Sequence, residues 1–264
     1  MLPTNSLERA LLLLDLVEKT PGGVRNAEIS RQLHIPRSSC SWILARLTRQ
    51  GYLTHDADSG RYKIGLKTVA LARGALRELG FRSGAEPVLY RVASETGLAA
   101  GIGVWEAGQV LLVDRVEAPE LARQTLLQQR PRDQRDVGRE LPAHTTALGK
   151  TLLAWLPKQE IEKYLDEHEL TRLTTKTIVT RDAMLAELRK IRQRGYAIAD
   201  GEHDPALRAI SAPIFDFTET AQAAISLNGD MTASVWRDPR RLIDLLLAAA
   251  REISRSARFP WIGA

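Results

Sequence analysis

The stretch of residues 24–64 constrains the fold of this chain more than any other. It holds two short amphipathic segments separated by a proline turn, followed by a hairpin-like tail. Asn26 is a suitable helix N-cap, because its side-chain oxygen can accept from the first free amides of a helix. Ile29 and Leu33, four residues apart, give a short helix one apolar stripe. His34-Ile35-Pro36 ends that helix, since Pro36 has no amide donor and disfavours helix at the residue before it. Pro36 then suits the opening of a second helix, predicted over residues 37–50, with Ile43, Leu44 and Leu47 on its apolar face. Gly51 is a natural left-handed stop.

The polar face of the second helix carries Arg37, Ser38, Ser39, Ser41, Arg46 and Arg49, with no Asp or Glu between residues 37 and 50. Basic and hydroxyl side chains at a helix N-terminus suit the DNA major groove, where Arg reads guanine edges and Ser meets bases or phosphates. Residues 52–54, a turn cluster at 56–60 and the basic run 61–64 then form a hairpin, the wing of a winged helix-turn-helix. A plain helical hairpin with a solvated basic face would share some of these features. The ordered series of cap, short helix, proline turn, acid-free helix, glycine stop and basic hairpin favours the winged reading. The candidate DNA contacts are Arg37, Ser38, Ser39, Ser41 and Arg46, with Arg61 and Lys63 of the wing on phosphates or the minor groove. Trp42 has two readings: contact with the DNA backbone, or packing under the wing.

The charge distribution agrees. Residues 1–82 hold 13 Lys/Arg against 7 Asp/Glu, a net of +6, while the remainder holds 24 against 25, a net of −1. A basic module joined to a nearly neutral partner is the electrostatic footprint of a nucleic-acid reader carrying a second domain. At 264 residues, two domains are expected. A single cysteine, Cys40, excludes intrachain disulfides and cysteine-rich zinc sites. The N-terminus has no signal-peptide pattern, and the longest apolar runs fall far short of the roughly 20 residues that span a bilayer. A soluble, cytoplasmic protein is expected.

Around the winged unit, Asn5 or Ser6 can cap a first helix to about Lys19, with Leu7, Ala10, Leu11, Leu14 and Val17 as its core face. Residues 66–81 form another helical pattern, read either as a cap on its own domain or, preferably, as a linker helix that pairs with its copy in a dimer. Beyond Ser83-Gly84, a helix to about Glu95 leads into strands at 99–105 and 110–116, with a third at 124–128. A loop entering a helix follows over 143–156, then helices over 158–167 and 180–194, strands at 196–199, 209–215 and 221–228, and a last helix from Asp238-Pro239. Hairpins mixed with helices make an α+β domain.

Several short blocks, in this order and spacing, resemble the IclR family of bacterial transcription regulators over almost the whole chain. They are residues 6–10, 35–39, 60–66, 114–117, 141–150, 194–196, 202–203 and 208–216. The resemblance implies a winged helix-turn-helix over residues 1–65, a linker helix over 66–82 and an effector-binding domain over 83–264. That domain would be GAF/profilin-like, with a mostly antiparallel sheet flanked by helices. It implies operator binding as a homodimer or a dimer of dimers, and a small-molecule effector, an organic acid or aromatic catabolite. The implied pocket residues are Thr146, Ala147, Leu148, Gly149, Asp200, Ala209, Ser226 and Asn228. The chain departs from the family where Ala199 replaces a frequent acid, Ala209 a common cysteine and Asn228 a small hydroxyl residue. Leu148 puts a bulkier apolar group near the rim.

His144, His168 and His203 are too scattered for a metal motif and read as hydrogen-bonded structural histidines. Gly101 and Gly103 lie in a strand without the third glycine and following helix of a nucleotide loop. With no nucleophile elbow, phosphate loop or paired-carboxylate motif, neither catalysis nor a cofactor is expected. An architectural DNA binder without a ligand is the other alternative, and the long neutral second domain argues against it.

Overall fold

Asn5 accepts from the Glu8 amide at 2.9 Å and so opens α1 (Ser6–Glu18). The structure, a computed structural model, describes residues 5–118 and 137–256. The chain divides into two compact units, 1–78 and 79–264.

The first unit continues with β1 (Val24–Arg25), α2 (Asn26–Leu33), α3 (Arg37–Arg49), β2 (Leu53–Asp56), β3 (Arg61–Ile64) and α4 (Lys67–Glu78). The antiparallel sheet runs β1-β3-β2. Its core joins Leu13, Val17, Val24, Ile29, Ile35, Cys40, Ile43, Leu44 and Leu53. The turn between α2 and α3 is made by His34 in the left-handed region, φ 53°, and by Pro36 ahead of α3. Between β2 and β3, Asp56 accepts from the amides of Asp58 and Ser59 at 3.1 and 3.2 Å.

Two expectations change here. Asn26 is the first residue of α2 and not its cap. Arg25 holds the cap position, its amide bonded to the Glu28 carboxylate at 3.0 Å. In α1 the buried stripe is Leu13 and Val17, while Leu7 and Leu11 are 69% and 54% exposed. The run of leucines from 11 to 14 makes α1 apolar on every side, so periodicity alone cannot choose its core face. Helix α4 buries none of its side chains, and Leu66, Val69 and Leu71 are exposed. Leu79 and Phe81, at the end of the segment read as helical, are buried.

The second unit opens with α5 (Arg82–Thr96), ended by left-handed Gly97. Then come β4 (Ala99–Glu106), β5 (Gln109–Val116), β6 (Glu140–Leu141), α6 (Ala147–Trp155), α7 (Lys158–Glu167), α8 (Arg181–Arg194), β7 (Ala197–Asp200), β8 (Leu207–Phe215), β9 (Ala221–Asp230), a short 3₁₀ turn and α9 (Pro239–Ser256). The strand expected at 124–128 lies outside the described residues. Among those described, six strands form an antiparallel sheet in the order β6-β5-β4-β9-β8-β7. Ala107 and Gly108, both at positive φ, close the β4–β5 hairpin in two residues.

Helices α6, α7 and α8 cover one sheet face. Their core includes Leu148, Leu152, Leu153, Ile161, Tyr164, Met184, Leu188 and Ile191 against Val110, Leu112 and Ala224. Helices α5 and α9 pack on the sheet as well and are tied together by a bidentate Arg91–Glu252 pair. The second domain is the expected mixed α+β domain with a mostly antiparallel sheet. Among the described residues no helix is long and apolar enough to cross a membrane.

Candidate functional sites

In the first unit, α3 is anchored by Cys40, Ile43 and Leu44, which are buried. That leaves Arg37, Ser38, Ser41, Trp42 and Arg46 exposed on the opposite side, with Ser39 half-buried. The Arg46 guanidinium carbon lies 4.2 Å from the centroid of the Trp42 ring, one turn earlier. Trp42 is 53% exposed, so it does not pack beneath the wing. Wing packing falls instead to Tyr62, which contacts the core and stacks on His55 with ring centroids 4.4 Å apart. Asn26 Nδ2 donates to Ser41 Oγ at 2.6 Å, pinning the start of α2 to α3.

The two wing cations differ. Lys63 is exposed. Arg61 is half-buried: its Nη1 donates to the Gly23 carbonyl at 2.6 Å and lies 3.8 Å from Glu28. Arg61 therefore stitches β3 to the turn before β1, a contact across 38 residues that no local pattern announces. Arg25 is an exposed cation paired in register with Arg61, its Nε donating to the Ser59 carbonyl at 2.9 Å. No local pattern marks Arg25, because it directly precedes a helix in a stretch that reads as turn.

In the second unit, the sheet face toward α6 carries two rows of small or polar side chains. Register pairs Ala199, Ala209, Asn228 and Ala99 across β7, β8, β9 and β4. The next row holds Ala197, Ser211, Ser226, Gly101 and Arg115. Ser211 and Ser226 are buried, and neither hydroxyl has a hydrogen-bond partner among the described residues. Buried hydroxyls usually have one. Arg115 Nη1 donates to Asn228 Oδ1 at 3.4 Å.

The α6 entrance is tightly built. Thr146 caps it, accepting from the Gly149 amide at 3.1 Å and donating to the Pro142 carbonyl at 2.9 Å. Gly149 is required there, because a Cβ would sit 2.3–2.7 Å from the backbone of Ala143. Leu148 does not reach the rim: it is buried, and its Cδ1 would lie 3.3 Å from a Cβ at Gly103. Asp200 falls one residue out of step with the Ala199–Ala209 row, so it points to the other face of the sheet. There Arg208 and Lys176 hold it at 2.5 and 3.0 Å. The Arg208 contact, with Lys176 behind it, keeps its carboxyl below the usual range. The structure thus gathers 146–149, Ala209, Ser226 and Asn228 on one side of the sheet and leaves Asp200 on the other.

Two residues missed in the sequence organise this region. Lys150 of α6 is buried, its ammonium 2.6 Å from both Glu202 Oε1 and the Ile198 carbonyl. Burial pushes the Glu202 carboxyl up, opposed by the attraction of Lys150. Thr145 Oγ1 bonds His203 Nδ1 at 3.0 Å, and His144 Nε2 meets the Thr171 carbonyl at 3.0 Å. Burial pushes the His203 imidazole down, helped by the charge of Arg139. Among the described residues no group of three potential metal ligands comes together.

Fold and sites together define a helix-turn-helix transcriptional regulator with a ligand-binding domain. The chain belongs to the IclR family. The IclR helix-turn-helix domain matches residues 6–57, and the bacterial transcriptional regulator IclR C-terminal domain matches residues 73–255. Relatives include the HTH-type transcriptional regulator BhcR of Paracoccus denitrificans, 29% identical over 94% of this chain and 86% of that protein. The transcriptional repressor IclR of Escherichia coli is 26% identical over 94% and 88%. The crystal structure of Thermotoga maritima IclR aligns with a TM-score of 0.73 at 27% identity, covering 97% of this chain and 99% of that one. An IclR homologue from Microbacterium hydrocarbonoxydans, complexed with 4-hydroxybenzoate, shares the fold with a TM-score of 0.81 at 22% identity over 96% and 99%. Both relatives are transcriptional regulators.

Proposed function

We propose that the protein binds operator DNA as a homodimer or a dimer of dimers, and that a small organic acid or aromatic catabolite changes its DNA affinity. In this reading residues 1–65 read DNA, 66–82 link, and 83–264 sense the ligand. Helix α3 enters the major groove with Arg37, Ser38, Ser39, Ser41, Trp42 and Arg46, and Lys63 and Arg25 reach the backbone from the wing. Arg61 acts one step back, by holding the wing in place. The unburied apolar side chains Leu66, Val69 and Leu71 of the linker support pairing with a second copy.

The observation that carries the sensing half is the buried hydroxyl pair of Ser211 and Ser226, without partners among the described residues, beside Ala199, Ala209 and Asn228. They offer two donors, with the Arg115–Glu117 pair (3.3 Å) at the end of the row, which suits an anionic or hydroxylated ligand with a small apolar body. The amides of Ala147 and Leu148 at the α6 entrance suit its carboxylate. A ligand bound better by one arrangement of the dimer shifts the population and so the DNA affinity. Such a regulator works on the chromosome, in the cytoplasm.

The test is a thermal-shift screen of small carboxylic and hydroxybenzoic acids, followed by DNA binding with and without each hit. A ligand at 100 times its Kd adds about 2.7 kcal/mol of stability. For a domain of 150–250 residues that raises Tm by roughly 5–11 °C. Absence of any shift across the panel, or shifts that leave DNA affinity unchanged, would contradict the sensing role.

A further inference from the structure

Between the first turns of α1 and of α3 lies a cleft of about 400 Å³, lined by Ser6, Arg9, Ser38, Ser39, Trp42 and Ile43. Among the described residues its lining combines one cation, three hydroxyls and two apolar side chains, with no carboxylate. The Arg9 guanidinium and three hydroxyls suit an anion, since a cationic donor and O–H donors both make hydrogen bonds to anionic oxygens. The apolar wall means that the anion carries a carbon body on one side.

The wall is fixed in place: Ile43 is buried in the core, and Arg46 stacks on the Trp42 indole. The volume falls in the range of about 300–1,000 Å³ typical of small-ligand clefts, so a phosphate with its attached sugar fits. The cleft also runs into the exposed surface of α3 that holds Arg37, Ser41 and Arg46, where no Asp or Glu interrupts residues 37–50. An occupant of the cleft can therefore continue along α3 as a polyanion.

We propose that this cleft seats one sugar-phosphate unit of the DNA backbone, with Arg9 and the hydroxyls of Ser6, Ser38 and Ser39 on the phosphate and Trp42 and Ile43 against the deoxyribose. The proposal rests on the DNA-binding reading above and extends it to α1. Ser6 and Arg9 become DNA contacts, and the first helix fixes how α3 enters the groove. Contacts of this type position the protein and carry no sequence information. Their loss therefore weakens all DNA equally.

The test uses the full chain and two duplexes: one enriched by the protein from a random pool, and a scrambled control. Fluorescence anisotropy is read over a series of KCl concentrations for wild type, Arg9→Gln and Ser6→Ala. Arg9→Gln is expected to weaken both duplexes by the same factor, roughly tenfold. It should also lower the slope of log K against log salt by about 0.9 for each engaged protomer. Ser6→Ala is expected to weaken both equally and to leave the slope unchanged. In the enriched duplex, neutralising one particular phosphate as a methylphosphonate should weaken wild type and leave Arg9→Gln unaffected.

If Arg9→Gln fails to fold, as judged by circular dichroism, Ser6→Ala at the exposed start of α1 and Arg9→Lys carry the test, the latter retaining the wild-type slope. Variants that bind both duplexes as wild type does, with an unchanged slope and no distinguishing phosphate, would overturn the cleft while leaving the DNA reading intact. Wild-type protein that binds neither duplex would overturn both.

Discussion

Lys150→Met probes the tie between α6, the helix at the proposed ligand site, and the edge of the sheet. Lys150 is 1% exposed, and its ammonium meets Glu202 Oε1 and the Ile198 carbonyl, both at 2.6 Å. Removing it leaves a buried carboxylate without its counter-charge, which costs about 3–5 kcal/mol. The orphaned Ile198 carbonyl adds to this, though not additively, because both partners share one ammonium. At about 2–4 °C per kcal/mol for a domain of this size, Tm falls by roughly 6–20 °C.

Replacing both partners, as Lys150→Met with Glu202→Leu, removes the charge problem and should recover most of the loss. The deficit of the single variant should also shrink toward pH 5. The Glu202 carboxyl is already raised above its unfolded value by burial, and without Lys150 it rises further. The folded state then takes up the proton more readily than the unfolded chain, so lowering the pH favours it. Calorimetry of the full chain gives the shift, and hydrogen exchange in α6 locates it. A single variant melting within 2 °C (about 1 kcal/mol or less) of wild type would refute the reasoning. A double variant melting as low as the single would do so too.

Three further outcomes are expected. Gly149→Ala drives a Cβ to within 2.3–2.7 Å of the Ala143 backbone. It should cost about 1–3 kcal/mol in a thermal melt, and a wild-type Tm would show that the α6 entrance yields freely. His203 is held neutral by burial, with its folded pKa below the unfolded value of 6.5. The unfolded chain therefore binds the proton first, and stability should fall as pH drops through about 6.5. His203→Gln should flatten that part of a pH series of melts, and an unchanged series would contradict the assignment. Val69→Asp with Leu71→Asp on α4 should convert the oligomer to monomer in sedimentation velocity, whereas an unaltered oligomer would show that this face does not pair the copies.

Much of the DNA-reading unit was legible because its signals are local. Pro36 and Gly51 bound α3, and the spacing of Ile43, Leu44 and Leu47 marks its inner side, to which the structure adds buried Cys40. The hairpins of the second unit were legible for the same reason, through short turns between apolar runs. What escaped depends on contacts distant in sequence or on side-chain parity. Lys150 sits in a helix whose neighbours are all buried, and nothing local reveals its partner 52 residues away. Asp200 lies beside Ala199 in sequence, but strand alternation sends it to the opposite face, against Arg208. Ser211 looked like one more residue of a buried strand. Only the register with Ser226 places the two unpartnered hydroxyls together.

The central claim is that an acid-free basic helix and a sheet face with unpartnered hydroxyls belong to one ligand-controlled DNA switch. Its most direct test is selection of duplexes by the full chain from a random pool, with anisotropy on the enriched sequence. An enriched pseudo-palindrome with two half-sites is expected, bound about 1–3 kcal/mol more weakly by Arg37→Ala, with an affinity that changes when an organic acid from the thermal screen is added. A pool that stays random, or an enriched site bound equally by Arg37→Ala and untouched by every stabilising ligand, would contradict it.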